Sequence, residues 1–450
     1  MATRSIFDCD AQNELEREQV TYDDDLFDFG LEIPADERVV IPKNVSISET
    51  ISQNGADNEK RGKRKAHNVP EFRGNNHFKS AKLNVPTIKA TANDVPRGRV
   101  EFQKKCDEYE LLHKIGKGTY GDVYKARYST GQIIAIKRIL CPLDIPNMEK
   151  NMAFVKREYD HLREMQECNN IVKLLKGRED QISEKEIQLD LLFEYCPYDL
   201  QKIILNTRIH FQFSEIKAFL RQMFLGLEYM HSKMLMHRDF KTENILLTAD
   251  GIVKIADFGL SRKLSDPNST LEKHKYTPNV VTQWYRAPEI LLGDRYYNES
   301  VDIWAIGCVM GEFWNRGPIL KGHNEINQIK LISKLCGSMT AKDWPKIVNL
   351  HLYQQIEHLP NDKRTTRTYL IEKPPRLAHN QANDLFDKLL RCNPEKRLTA
   401  CRALNDSFFF ESPLPAKNLK KFMMRILPFL NSSIAAPKTV EINPAFDYVY

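Results

Sequence analysis

The sequence predicts an α+β chain of two unequal lobes, a small β-rich one and then a larger helical one, with a disordered extension in front. Three observations carry this. At 450 residues the chain exceeds what one compact domain usually takes, so a large or bilobal domain plus something extra is expected. The hydrophobic pattern then changes along the chain, from short β-branched runs between glycine-rich turns to apolar residues at helical spacing. Ahead of both, residues 1–50 carry 13 acidic and 4 basic side chains and residues 51–100 carry 4 and 11, with neither hydrophobic period sustained.

Taken in order, residues 1–100 have little to bury. All four tryptophans lie beyond them, from Trp284 to Trp344, and a segment of this kind does not offset its ordering entropy. Within it, Lys60, Arg61, Lys63, Arg64 and Lys65 form a basic run at 60–65 that reads either as a nuclear-import signal or as a solvated charge cluster. The acidic-aromatic stretch around Asp23, Phe27 and Phe29 reads as charged disorder, with a docking motif as the alternative. From Tyr109, YELLHKIGKGTYGDVYKARY and QIIAIKRIL read as two strands joined by glycine-rich turns. Glu149 to Gln166 repeats apolar residues at helical spacing, and IQLDLLFEYC reads as a buried strand. After Pro197, Phe219, Met223, Leu227 and Met230 share one helical face, and helices dominate to about Phe410. The C-terminal KKFMMRILPFLNSS is compatible with packing on the large lobe, engaging a partner or remaining mobile.

Composition excludes several classes. Hydrophobic residues are 42% and charged residues 28%, ordinary globular usage. No apolar run approaches the roughly 20 residues of a spanning helix, and the start MATRSIFDCD lacks a secretory pattern. An intracellular, soluble protein without a membrane partner is expected. Nine cysteines with no C-x-x-C pair indicate neither a disulfide framework nor a zinc module. The net charge of +6 is too small and too spread to argue direct nucleic-acid binding.

The motifs carry chemistry. Gly116, Gly118 and Gly121 let backbone amides approach a phosphate chain, and the strand that follows them disfavours a dinucleotide-binding reading. Lys137, in the apolar strand AIKRI, needs an anionic partner, and Glu158 on the next helix is the candidate carboxylate. The decisive cluster is HRDFKTENI at 237–245 followed by IADFGLS at 255–261. Asp239 would orient an incoming hydroxyl, Lys241 would neutralise a transferring phosphoryl group, and Asn244 with Asp257 would hold divalent metal. Phosphoryl transfer asks for this mixture of amide, carboxylate and ammonium around one point. WYRAPE at 284–289 completes the set.

With these motifs in this order, residues 109–410 resemble the eukaryotic protein kinase family. The resemblance implies an N-lobe over 109–193, a hinge over 194–197, a C-lobe over 198–410 and a C-terminal tail over 411–450, with ATP and Mg2+ in the cleft. It implies that Ile115, Gly116, Lys117, Gly118, Thr119, Tyr120, Gly121, Asp122 and Val123 cover the nucleotide. Ala135 and Leu246 would sandwich the adenine, Phe193 would guard the pocket behind it, and the backbones of Glu194 and Cys196 would bond its edge. Asp302 would brace the catalytic loop, and Arg397 would pair with Glu289.

VVTQWYRAPE, with Val280 and Val281, resembles the cyclin-dependent kinases and implies Ser/Thr-Pro substrates. Thr277 is then the activating phosphosite, clamped by Arg157, Arg238 and Arg262; mitogen-activated kinases, with their Thr-x-Tyr pair, match less well. The segments FQKKCDEYELLHKIGKGTYGDVYKAR, FSEIKAFLRQM, YTPNVVTQWYR, LISKLCGSMTAKDWP and SFFFESPLPAKNL are most similar to the transcription-elongation type. That likeness implies a T-type cyclin, the C-terminal repeats of RNA polymerase II as substrate, and a nuclear location. Three departures stand out. NMAFVKREYD replaces the proline-led signature of the cyclin-contacting helix, Thr119 and Tyr120 match inhibitory phosphosites of cell-cycle relatives, and Gln283 and Phe240 occupy positions where other apolar residues are expected. A cell-cycle kinase is therefore the runner-up. An inactive scaffold of the same fold is the non-enzyme alternative, disfavoured because Lys137, Glu158, Asp239, Asn244 and Asp257 are all present.

Overall fold

The computed structural model describes residues 109–118, 121–142, 145–264, 276, 283–356, 362–371 and 380–431. The expected extension with its basic run, Thr119, Tyr120, Thr277, Val280 and Val281 lie outside the described residues.

The small lobe is a five-stranded antiparallel sheet in the order β1-β2-β3-β5-β4. Its strands are β1 (Tyr109–Gly118), β2 (Gly121–Tyr128), β3 (Ile133–Pro142), β4 (Leu174–Ser183) and β5 (Glu186–Glu194), with helix α1 (Ile145–Glu164) between β3 and β4. The glycine-bearing stretch and QIIAIKRIL thus hold three strands, not two. Gly118 opposes Gly121, and these residues let the chain reverse inside what reads as one run. Strand β4 has no strand signature because, at the sheet edge, the charges of LLKGREDQIS are part-buried, with Arg178 paired to Asp180 at 2.7 Å, while Leu175 and Ile182 face solvent. Helix α1 starts four residues before the expected Glu149 and ends two before Gln166.

The large lobe opens with β6 (Tyr198–Asp199), α2 (Leu200–Leu205) and α3 (Phe213–Ser232). The predicted stripe on α3 is fully buried at Phe219, Met223, Leu227 and Met230. Short strands β7 (Leu235–Met236), β8 (Ile245–Leu247), β9 (Val253–Ile255) and β10 (Arg262–Lys263) follow, paired as β6-β8-β9 and β10-β7. Then come α4 (Pro288–Leu291), α5 (Ser300–Asn315), α6 (Glu325–Cys336), α7 (Thr366–Tyr369), α8 (Asn380–Leu389), α9 (Ala400–Leu404) and α10 (Lys420–Asn431). Helix α5 is buried on all sides from Ser300 to Trp314, as expected of a helix that is apolar all round.

For the tail, packing is the outcome as far as Asn431. Phe422, Met423 and Ile426 are buried, Phe422 stacks on Phe211 with centroids 5.4 Å apart, and Arg425 donates twice to Glu215, at 2.7 and 2.6 Å. Glu215 also accepts from the Gln212 amide at 2.8 Å, so one carboxylate caps α3 and fastens α10. The large lobe's core therefore runs past Phe410.

One continuous core joins the lobes, from Ile139 and Val155 through Phe219 and Trp304 to Ile426. At their junction, Ile255 donates to Asn170 O and Val172 donates to Ile255 O, both at 2.9 Å. These bonds tie the connection after α1 to the strand that leads into Asp257.

Candidate active site

Strand β3 and helix α1 present Lys137 and Glu158 to each other from opposite sides of the small lobe's core. Lys137 Nζ lies 2.7 Å from Glu158 Oε2 and 3.0 Å from Asp257 Oδ1. Lys137 and Glu158 are buried. Burial works against the Lys137 ammonium, but Glu158 and Asp257 outweigh it and raise its pKa, so the group stays charged. Burial likewise works to raise Asp257, and Lys137 overcomes it to hold that carboxyl below its ordinary range. The result is an ionised carboxylate beside an ammonium, the arrangement that the sequence placed 120 residues apart.

The loop after β7 supplies the second half. Asp302, at the start of α5, accepts from the amides of His237 and Arg238 at 2.8 and 2.9 Å and bonds His231 Nε2 at 2.9 Å. That bracing holds Arg238 at φ 70°, and Asp257 sits at φ 66°. Left-handed backbone at residues other than glycine is strain of the kind kept at functional sites. His237 bonds Ala256 O through Nε2 at 3.0 Å and accepts the Asp239 amide on Nδ1 at 3.2 Å, which fixes its tautomer as Nε2–H.

Asp239 is the focus of the cleft. Its Oδ2 accepts from Lys241 Nζ at 2.7 Å and from Asn244 Nδ2 at 3.0 Å. Its Oδ1 is buried and has no partner among the described residues. Burial raises the Asp239 carboxyl above its ordinary value against the opposing charge of Lys241, making it a stronger proton acceptor. Asn244 Nδ2 also donates to Asp239 O at 2.8 Å, so the amide oxygen is the atom of Asn244 left to face a cation. Among the described residues no His/Cys/Asp/Glu cluster forms a preassembled metal cage. Asn244 and Asp257 are the donor set that fits magnesium, a hard cation that keeps waters and shares phosphate oxygens.

The nucleotide-covering residues divide. Val123 and Ala135 are partly buried, Leu246 is half-buried and pairs in register with Asp199, Phe193 is buried, and Ile115 is exposed. The Glu194 amide donates to Lys173 O at 3.0 Å. The Glu194 carboxylate pairs with Lys254 Nζ at 2.7 Å. Gly121 has a second reason to be glycine, since a Cβ there would run into Arg138 O of the neighbouring strand. Gly121→Ala should therefore destabilise the small lobe by about 1–3 kcal/mol even without nucleotide, read from thermal unfolding of the free chain.

The three predicted arginines do converge. Arg262 pairs in register with Met236, two residues before Arg238, and Arg157 Nη1 donates to Gly259 O at 3.2 Å. Arg238 and Arg262 both act on Tyr297, and Arg157, Arg262 and Lys263 all act on His161. The Arg238 guanidinium also lies 5.8 Å from the Tyr276 ring and 5.6 Å from the Tyr297 ring.

Two polar connections escaped the sequence reading. Buried Thr242 Oγ1 lies 3.2 Å from Tyr285 OH and 3.3 Å from Glu312 Oε2, tying the catalytic loop to WYRAPE, and burial pushes the Glu312 carboxyl up to about 8. His161 Nδ1 lies 2.7 Å from Ser261 Oγ, which donates to Phe258 O at 2.5 Å. His161 stands three residues after Glu158 on the same helix, so this bond clasps α1 to the segment that carries Asp257. A polar residue on an apolar helical face was the available signal. Phe240 fits its position, buried against His237, and Gln283 is partly buried.

Burial, then the nearby cations, lower His161 from its ordinary 6.5 to about 3. The unfolded chain binds this proton and the folded chain does not, so stability falls as pH drops below about 6.5. The slope should be about 1.4 kcal/mol per pH unit from this group between pH 6 and 4. His161→Leu should remove about one proton from that slope in denaturant titrations at stepped pH.

Comparison with known proteins gives the family. The protein kinase domain model matches residues 109–409. The chain belongs to the protein kinase family. This kinase is 37% identical over 343 residues to human cyclin-dependent kinase 9, covering 74% of this chain and 89% of the relative. It is 38% identical to cyclin-dependent kinase 9-A of Xenopus laevis, covering 70% and 85%. A solved structure, that of the CAK complex from Chaetomium thermophilum bound to ATP-gamma-S, superposes with a TM-score of 0.62 at 32% identity, covering 69% of this chain and 93% of that one. The kinase is accordingly of the cyclin-dependent Ser/Thr type.

Proposed function

We propose that this kinase, activated by a T-type cyclin and by phosphorylation of Thr277, transfers the terminal phosphoryl of ATP to Ser/Thr-Pro sites. Its substrates are the C-terminal repeats of RNA polymerase II and associated elongation factors, and it acts in the nucleus. The observation that carries the catalytic part is Asp239 Oδ1, a buried carboxylate oxygen without a partner among the described residues, beside Lys241 and Asn244. It takes the proton of the substrate hydroxyl as that oxygen attacks phosphorus and the bond to the diphosphate leaving group breaks. Lys241 neutralises charge on the phosphoryl group, and Lys137, held by Glu158, orients the nucleotide phosphates. Asn244 and Asp257 would hold magnesium, which supplies positive charge for the phosphate oxygens when bound.

Support for the elongation role is the likeness to the cyclin-dependent kinase 9 relatives. Support for the phosphosite is the convergence of Arg157, Arg238 and Arg262. Thr277→Ala should lower activity by roughly 10- to 100-fold through loss of charge-assisted bonds to that trio; an undiminished rate removes the clamp. The polymerase reading is tested with the kinase purified from its own cells. A T-type cyclin identified by mass spectrometry, with repeat-peptide phosphorylation that vanishes when the prolines are replaced, is expected. A cell-cycle cyclin in its place would move regulation to Thr119 and Tyr120.

A further inference from the structure

Away from the cleft, the large lobe carries two thiols on one cavity. The cavity, about 250 Å³, lies where α6 ends at Cys336 and where Arg391, Cys392 and Asn393 follow α8. Cys336 is buried, Cys392 is partly exposed, and both line this cavity. One guanidinium fixes both backbones. Arg364 Nη1 donates to Cys336 O at 2.8 Å and Nη2 to Leu390 O at 2.9 Å, with Nε on Asp387 at 2.6 Å.

The two thiols are chemically unlike. Cys336, helped by Arg364 and Arg397, holds Cys392 below the ordinary thiol value although burial opposes it. Burial pushes Cys336 well up. A thiolate-prone sulfur reachable from a cavity, with a second thiol on the same cavity, is what peroxide-driven disulfide formation requires. In a reducing compartment such a bond is transient and serves sensing, not structure.

We propose that Cys336 and Cys392 are a modification site, a dithiol that hydrogen peroxide converts reversibly to a disulfide. The Cys392 sulfur attacks peroxide, forming an S–O bond as the O–O bond breaks, and gives a sulfenic acid and water. The Cys336 sulfur then attacks that sulfur, forming the S–S bond as the S–O bond breaks; its proton leaves with the hydroxide as a second water. Two electrons pass from the thiols to one peroxide. The site adjoins the substrate-side framework, because Cys392 O accepts from Arg397 Nη2 at 3.0 Å and Arg397 holds Glu289 of WYRAPE.

The test treats the full-length kinase with graded hydrogen peroxide, blocks free thiols with iodoacetamide and maps peptides without reduction. The expected result is a Cys336–Cys392 linked peptide, lighter by two hydrogens than its parts, that forms before oxidation of the exposed Cys401 and disappears with dithiothreitol. It should be absent from Cys336→Ser and Cys392→Ser. Oxidation of Cys401 while both other thiols remain alkylatable overturns the proposal, as does sulfinic acid at Cys392 without a linked peptide. The wild-type map decides alone if either variant fails to fold.

Discussion

Asp239→Asn should lower phosphoryl transfer by about 100- to 10,000-fold, the range for losing a positioned general base. ATP affinity should change by less than about twofold, because the lost charge acts on the hydroxyl and not on the nucleotide. Asparagine is close to isosteric, and its amide oxygen can still accept from Lys241 and Asn244, which now meet at Oδ2. What it cannot do is take a proton at the position of Oδ1. Single-turnover rates with separately measured nucleotide binding check the split. A parallel loss of both would assign Asp239 to nucleotide binding and return the catalytic base to the search. Retention of the thermal unfolding profile would show that the loop itself survives.

Arg397→Met should be the most destabilising single change away from the cleft. Both partners of the Arg397–Glu289 pair are fully buried, with two bonds of 2.6 Å between them. Arg397 further donates to Arg391 O at 2.6 Å, Ser300 O at 3.0 Å and Cys392 O at 3.0 Å. Removing the cation leaves Glu289 as an unpaired buried charge, a change that costs about 3–5 kcal/mol. A melting temperature lower by roughly 5–10 degrees would accompany it. The double variant Glu289→Leu with Arg397→Met should recover part of that loss, since two apolar groups leave no orphaned charge. Differential scanning calorimetry on the three chains reads both effects, and a single variant as stable as the parent would remove this pair from the list of structural supports.

Much of the catalytic cleft is legible because its chemistry comes in contiguous strings. HRDFKTENI and IADFGLS each carry several functional side chains within a few residues, so their spacing survives any uncertainty about the fold. Lys137 is legible as an ammonium in an apolar strand. Glu158 is weaker evidence by itself, and only its placement on the helix after that strand marks it. The connections that escape notice join residues far apart. His161 meets Ser261 across 100 residues, and Thr242 meets Glu312 across 70; neither pair leaves a local trace. Strand β4 is hidden for another reason, since its charges sit part-buried while Leu175 and Ile182 face water, which breaks the apolar-in, polar-out alternation. Helix α10 mixes apolar and basic residues that suit several fates, and partners some two hundred positions earlier, Phe211 and Glu215 among them, decide the outcome.

Asp302 has a consequence for how this enzyme is switched. Its carboxylate belongs to α5, the most buried helix of the large lobe, yet it holds the strained turn at His237 and Arg238. The catalytic loop is therefore set when the large lobe folds and is the stationary half of the machine. Whatever makes activity conditional must work through parts outside that frame, such as α1, which brings Glu158 and His161. Control then needs no reach into the cleft: a shift of one helix would take Glu158 away from Lys137 and leave the base at Asp239 in place.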